Sequence, residues 1–142
     1  MRSLAPLVAL FLVVPMVVGC ENDDKRSRGG PFTIVTDMDF RTEPIHGTFR
    51  VRPGSEKLGC SRGTFVDHPL VSGAILKVLT CTDGERGGSF LIRFELAFER
   101  WKFRSGTGDF TGVEGNGHYA NRRRPELSGV ETLKGTVDFA SR

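Results

Sequence analysis

The chain has 142 residues and a formal net charge of +3, which is enough material for one ordinary domain. Its 20 basic and 17 acidic residues nearly balance, whereas nucleic-acid binding proteins normally show a strong basic excess. Eighteen glycines exclude a helical bundle, because each glycine in a helix interior costs about 1 kcal/mol.

Residues 1–19 have the pattern of a secretory signal peptide. Arg2 supplies the positive start, and residues 4–18 are apolar except for Pro6 and Pro15. This run is short for a membrane span, which needs about 20 apolar residues. We therefore expect residues 1–19 to be a cleaved signal and the remainder to be exported.

The end of this signal resembles the bacterial lipoprotein signal, in which a small residue precedes an invariant cysteine. Val17, Val18, Gly19 and Cys20 occupy the four positions of that motif. The resemblance implies that Cys20 is lipidated and becomes the new N-terminus, and two or more acyl chains hold a protein stably on a bilayer. An ordinary cleaved signal with an incidental cysteine, or an uncleaved signal anchor, are the alternatives.

The stretch after Cys20 predicts a tether. Residues 21–30 read ENDDKRSRGG and contain no apolar side chain, so they have nothing to bury. We expect residues 20–31 to form the lipidated N-terminus and a flexible tether, and residues 32–142 to form the folded domain.

Two further cysteines remain if Cys20 carries lipid. Cys60 and Cys81 lie in the exported part, where an oxidising compartment favours a disulfide between them. Two free buried thiols are the alternative. We expect no metal site, because the three histidines, His46, His68 and His118, are scattered and show no ligand spacing.

The dominant period of the mature chain is two, which is typical of half-buried strands. Residues 45–52 alternate cleanly, and so do residues 90–98, where Phe90, Ile92, Phe94, Leu96 and Phe98 share one face. Other strands are predicted at 32–36, 63–66, 74–82, 101–105, 116–120 and 133–139. About eight strands with glycine-rich turns predict an all-β fold, a single small antiparallel β-barrel whose closure removes exposed sheet edges.

The segment 106–117 is the most distinctive stretch, with glycines at 106, 108, 112, 115 and 117. Glycines recur where a small barrel turns sharply or where two backbones approach, and Phe110 and Val113 are placed to enter the interior. A nucleotide-binding loop is excluded, because no Lys-Ser or Lys-Thr and no helix pattern follows.

This segment resembles the glycine-rich hairpin of the allene oxide cyclase and dirigent-like barrels, relatives in shape of the lipocalins. The matching residues are Trp101, Ser105, Gly106, Thr107, Gly108, Phe110, Gly112, Val113, Gly115 and Gly117. Upstream, the chain resembles a secreted bacterial branch of such barrels through Cys60, Gly63, Phe65, Asp67, Thr80, Cys81, Asp83 and Gly84. The resemblance implies a barrel. It assigns no catalytic residue, because the active residues of those families lie outside the matching hairpin.

Other chemical patterns are weak. Ser61 lies in a G-x-S-x-G match, but a nucleophile elbow needs a strand-to-helix turn in a large α/β sheet. An inward His118 beside a carboxylate would make an acid/base pair. Glu95 and Glu99 are expected in solvent. Residues 122–124, three arginines before a proline, are predicted to lie in a loop that either meets anionic head groups or cell-wall phosphates or is simply solvated.

These patterns predict a non-catalytic envelope lipoprotein, anchored outside the cytoplasm by its lipid, whose barrel is a binding or interaction module without cofactor or metal. Its partners are the membrane, through the anchor, and a small apolar ligand or an envelope component, but not nucleic acid. The predicted inner face is rich in phenylalanine: Phe49, Phe65, Phe90, Phe94, Phe98 and Phe103. These rings either fill the barrel or leave a void for the ligand. The alternatives are a cyclase- or isomerase-type enzyme acting in the cavity and a purely structural envelope protein.

Overall fold

The computed structural model describes residues 29–140, and the predicted signal, Cys20 and most of the predicted tether lie outside them. The described chain is built from β-strands and short 3-10 turns. Its strands are β1 (Gly30–Asp39), β2 (His46–Val51), β3 (Cys60–Pro69), β4 (Ile75–Gly84), β5 (Gly88–Glu95), β6 (Arg100–Gly106), β7 (Val113–Glu114), β8 (Asn116–Arg124) and β9 (Ser128–Phe139). Because β1 begins at Gly30, the last two residues of the predicted tether belong to the sheet.

Eight of these strands form one closed antiparallel barrel. The order is β1-β2-β3-β4-β5-β6-β8-β9, and the pairing of β1 with β9 closes the ring. β1 and β9 pair over ten positions, from Gly30–Val137 to Asp39–Ser128, so no strand edge is left open along this seam. The predicted closed barrel of about eight strands is confirmed.

The two ends of the barrel are built differently. At what we call the closed end, the connections 52–59 and 107–112 carry 3-10 turns whose Leu58 and Phe110 are fully buried. The opposite, open end is formed by the connections 40–45, 70–74, 96–99 and 125–127. Because β1 is followed by the connection 40–45 at the open end, β1 begins at the closed end and runs toward the open end.

Aromatic rings fill the half of the interior nearest the closed end. Phe90 lies 4.9 Å from Phe110 and 5.8 Å from Phe103, measured between ring centroids. Phe32 lies 4.9 Å from Trp101. All five rings are at most 5% exposed, and such pairs add about 0.5–1.5 kcal/mol each beyond the area they bury. This half of the barrel is a packed core. Of the two alternatives for the phenylalanine rings, filling the barrel or leaving a void, the first holds here.

The disulfide lies at the closed end. Cys60 and Cys81 are bonded, with their Cα atoms 6.0 Å apart. Cys60 begins β3 and Cys81 lies near the end of the neighbouring β4, so the bond joins two adjacent strands near the closed end. The predicted pairing is confirmed, and the alternative of two free thiols is wrong.

The glycine-rich segment lets backbones approach closely. A Cβ atom on Gly117 would lie 1.9 Å from the carbonyl oxygen of Lys134, and one on Gly115 would lie 1.9 Å from that of Thr136. Any side chain at these two positions would push residues 115–117 away from β9. Phe110 and Val113 are buried, as predicted.

Two sequence predictions about strands are wrong. The strand predicted to continue to Phe98 stops at Glu95, and Leu96–Phe98 forms a 3-10 turn. Phe98 is therefore 69% exposed and does not belong to the inner face, unlike Phe49, Phe65, Phe90, Phe94 and Phe103, which are buried. The physical reason is that the chain must reverse here to enter β6, and Glu99 adopts a left-handed conformation with φ of 51°.

The three arginines at 122–124 lie in β8 and not in a loop. Arg122 pairs with Val130, Arg123 with Gly129 and Arg124 with Ser128. The turn between β8 and β9 consists only of residues 125–127, so it is shorter than the loop predicted around the three arginines. Within residues 29–140, no helix is long and apolar enough to cross a bilayer.

Candidate functional site

A buried lysine is the most unusual feature of the barrel interior. Lys77 lies on β4, and its neighbours two residues away on the same face are Ile75 and Leu79. The alternation of the strand therefore turns the lysine into the barrel, where only 1% of it is exposed. Lysine is almost never fully buried without a partner.

Two carboxylates contact this lysine from opposite sides of the barrel. Asp67 is its direct cross-strand neighbour on β3, and its Oδ1 lies 2.8 Å from Lys77 Nζ. Glu131 reaches in from β9 across the barrel, and its Oε1 lies 3.3 Å from Nζ. We call these three residues the Lys77 cluster. Their side chains are 1%, 9% and 7% exposed, so water screens their charges weakly.

The remaining contacts of the cluster are few. The hydroxyl of Thr36 donates to Glu131 Oε1 at 3.5 Å, and the ring of Phe65 lies 3.8 Å from Lys77 Nζ. Neither Lys77 Nζ nor Asp67 Oδ1 has a partner with hydrogen-bond geometry within the described chain. Their 2.8 Å contact is thus an ion pair without hydrogen-bond geometry.

The charges of the cluster are unequal in number, with one cation and two carboxyl groups. Burial raises the pKa of Glu131 above its ordinary value, and the nearby Asp67 raises it further, while Lys77 and Thr36 act in the opposite direction. The raised pKa favours the protonated form of Glu131. When Glu131 holds its proton, the cluster is a neutral set of one ammonium, one carboxylate and one carboxylic acid.

A cavity of about 140 Å³ opens above the cluster toward the open end. Its apolar walls are Met38, Phe40, Ile45, Ile75, Phe94 and Leu96. Arg122 and Arg123 line its rim. A wider groove of about 350 Å³ shares Phe40, Ile45, Asp67 and Ile75 with the cavity. The open half of the barrel therefore combines apolar walls with a few convergent polar groups, the composition typical of small-molecule sites.

The candidates considered from the sequence lie elsewhere. His46, His68 and His118 are all exposed, so the acid/base pair considered for an inward His118 is excluded. Ser61 is an exposed residue inside β3 and does not lie on a strand-to-helix elbow. Glu95 and Glu99 are exposed, as expected.

Sequence reasoning missed the Lys77 cluster, apart from Asp67, which it assigned only to a family motif. A signal was present for Lys77, which occupies the inward register of an otherwise apolar strand (74–82). Asp67 gives the same signal, since it follows Gly63 and Phe65 in the inward positions of β3. Glu131 likewise shares the inward face of β9 with Gly129 and Leu133. A charged residue in an inward position is the pattern to search for, because burial then demands a partner.

No group of three or more His, Cys, Asp or Glu side chains within residues 29–140 is arranged to hold a metal ion. Comparison of the chain with protein-family models, with curated proteins and with solved structures gave no match. The resemblance to the allene oxide cyclase and dirigent-like barrels, and that of residues 17–20 to a lipoprotein signal, therefore remain predictions.

Proposed function

We propose that the protein is a lipid-anchored, extracytoplasmic binding module that holds one small, mainly apolar molecule in the open end of its barrel. The observation that carries the proposal is the cavity above the Lys77 cluster. Its walls are apolar, and the Lys77 cluster lines its inner end, where Lys77 Nζ and Asp67 Oδ1 are buried and lack a partner with hydrogen-bond geometry within the described chain. The anchor rests on the signal pattern and on Cys20, and the disulfide agrees with an oxidising compartment.

The polar floor selects the head group of the ligand. A cationic head group would lie against Lys77, and a carboxylate would lie against Asp67. A neutral oxygen, as in an alcohol, accepts a hydrogen bond from Lys77 Nζ and donates one to Asp67 Oδ1. The best ligand therefore carries a hydroxyl group at one end of an apolar body.

Methyl NMR tests this proposal directly, because two of the four isoleucines of the chain line the cavity and the other two lie in the core. Ile45 and Ile75 line the cavity, whereas Ile34 and Ile92 are fully buried in the core. The protein with labelled isoleucine methyl groups is titrated with hexanol, hexylamine and hexanoate, which share one tail length. The proposal predicts saturable shifts of the Ile45 and Ile75 signals, tightest for hexanol, with little change at Ile34.

Two variants separate specific binding from partition into any apolar surface. Lys77→Met with Asp67→Asn removes both charges of the ion pair and should abolish the preference for hexanol. Arg62→Met removes an exposed arginine paired with Asp83 and should bind as the native protein does. Equal shifts with all three compounds, or shifts spread over the four isoleucines, would refute the proposed site.

An isomerase-type enzyme is the second candidate. The Lys77 cluster favours it over the other alternative, a purely structural envelope protein. Two inward carboxyl groups beside a cavity, one with a raised pKa, have the composition of an acid/base pair. Such an enzyme would move a proton on its bound molecule. Catalysis would be established if a molecule retained by the protein took up deuterium from the solvent and if this uptake was lost in Glu131→Gln. If no deuterium was taken up, the protein would be a binding module without catalytic activity.

A further inference from the structure

The large apolar side chains that stay exposed are confined to one end of the barrel. Within residues 29–140 they are Val71, Leu96, Phe98 and Leu127, with exposures of 110%, 46%, 69% and 63%. They belong to three separate connections, all at the open end. The connections of the closed end bury their large apolar residues, Leu58 and Phe110. Single exposed apolar residues are ordinary on a protein surface, and what distinguishes these four is that they are confined to one end of the barrel.

Arginines stand beside these apolar tips. No carboxylate of the described chain lies within 4.0 Å of Arg122 or Arg123, and both line the rim of the cavity. The Arg123 guanidinium lies 5.8 Å from the ring of Phe40. Glu43, Glu99 and Glu126 are exposed in the connections of the same end, so the positive charge is a local strip and not a property of the whole face.

We infer that the open end docks on an anionic phospholipid surface, with the apolar tips of its connections entering the interface. The tips are four isolated residues on three separate connections around a cavity. A protein interface would instead need a continuous core of the kind found inside proteins. Apolar residues that enter a bilayer interface reach about 5–10 Å into it, while arginines stay with the anionic head groups.

The length of the chain before β1 permits this orientation, and this step alone rests on the proposed anchor. β1 begins at the closed end, ten residues after Cys20, and ten extended residues span about 33 Å. A tilted ten-residue barrel strand covers about 25 Å along the barrel axis. A chain anchored at Cys20 therefore reaches past the barrel, and the open end can meet the bilayer that holds the anchor.

Tryptophan quenching in vesicles tests the docking. The full-length protein is prepared as Phe98→Trp and as Glu85→Trp, which place the probe at the open end and in the closed-end connection 85–87. The native Trp101 is buried and gives the same background in both. Each variant is bound to vesicles of phosphatidylglycerol and acyl-brominated phosphatidylcholine, and bromine quenches only a nearby indole.

We expect the probe at 98 to be quenched much more than the probe at 85. Adding Arg122→Gln and Arg123→Gln should lower the docking equilibrium by about fivefold per arginine. Adding Arg52→Gln and Arg104→Gln, exposed arginines elsewhere, should change it little. Equal quenching at 98 and 85 would overturn the inference, and quenching that is the same with phosphatidylcholine alone would overturn its anionic preference. Mass spectrometry of the same samples reports whether Cys20 is acylated. The isoleucine titration reports ligand binding without vesicles. A failure of the proposed function can therefore be distinguished from a failure of membrane docking.

Discussion

Replacing Lys77 by methionine is the perturbation that reports most on the interior of the barrel. Methionine keeps most of the side-chain length but removes the ammonium group from between two buried carboxyl groups. Asp67, whose side chain is 9% exposed, then has no cation beside it. Removing one partner of a buried ion pair costs about 3–5 kcal/mol, because the remaining charge stays desolvated. A domain of this size has a total stability of about 5–15 kcal/mol, so the loss should be a large fraction of the whole.

Urea unfolding with the disulfide intact measures this loss as a free energy of unfolding. The Lys77→Met variant is compared with the native protein at neutral pH. Adding Asp67→Asn should restore more than half of the loss at neutral pH. Arg62→Met is the matched control, because its pair with Asp83 is exposed, 70% and 51% respectively, and exposed pairs contribute about 0–1 kcal/mol.

Two results would show that an unpaired buried charge is not the cause of the loss. A loss for Lys77→Met as small as that for Arg62→Met would mean that water reaches the cluster freely. A double variant no more stable than the single one would mean that the lost stability comes from packing and not from the charge left on Asp67.

Three further predictions concern the rest of the barrel. The raised pKa of Glu131 means that its stabilising effect is complete below pH 4.5 and is lost as the pH rises through the folded-state pKa; Glu131→Gln should therefore flatten the fall in thermal stability above pH 4.5, and an unchanged slope would contradict the assignment. Replacing both Cys60 and Cys81 by serine should lower the free energy of unfolding by about 3 kcal/mol, since the disulfide closes a loop of 21 residues; a change under about 1 kcal/mol would show that the closed end does not depend on it. Gly63→Ala places a Cβ 1.9 Å from a backbone oxygen of β4 and should cost more than the 1–3 kcal/mol typical of overpacking, whereas Gly87→Ala, with its nearest atom at 3.9 Å, should be tolerated in the same unfolding assay.

The barrel could be predicted from the sequence because the period of two survives through most strands. Phe90, Ile92 and Phe94 alternate with outward residues and are all buried, and glycine-rich connections separate the strands. The prediction failed where the pattern continued past the end of a strand. Leu96 and Phe98 keep the same spacing, yet the chain reverses there and exposes both.

The site could not be predicted as a unit, because its members come from strands far apart in the chain. Lys77 and Asp67 are cross-strand neighbours only in the observed register of β3 and β4. Glu131 joins them only because the ring closes through β1 and β9, which brings β9 opposite β4. The sequence does show one inward lysine in an apolar strand. Its partners become evident only when the order and register of all eight strands are known.

Native mass spectrometry of the protein extracted from its own cells would show in one experiment whether the barrel is lipid-anchored and whether it holds a small molecule above Lys77. The expected result is a chain that begins at Cys20 and carries acyl groups, together with one small neutral molecule that is absent when Lys77 and Asp67 are replaced by Met and Asn. A chain without acyl groups at Cys20, or a native protein and a double variant with the same mass apart from the substitutions, would contradict it.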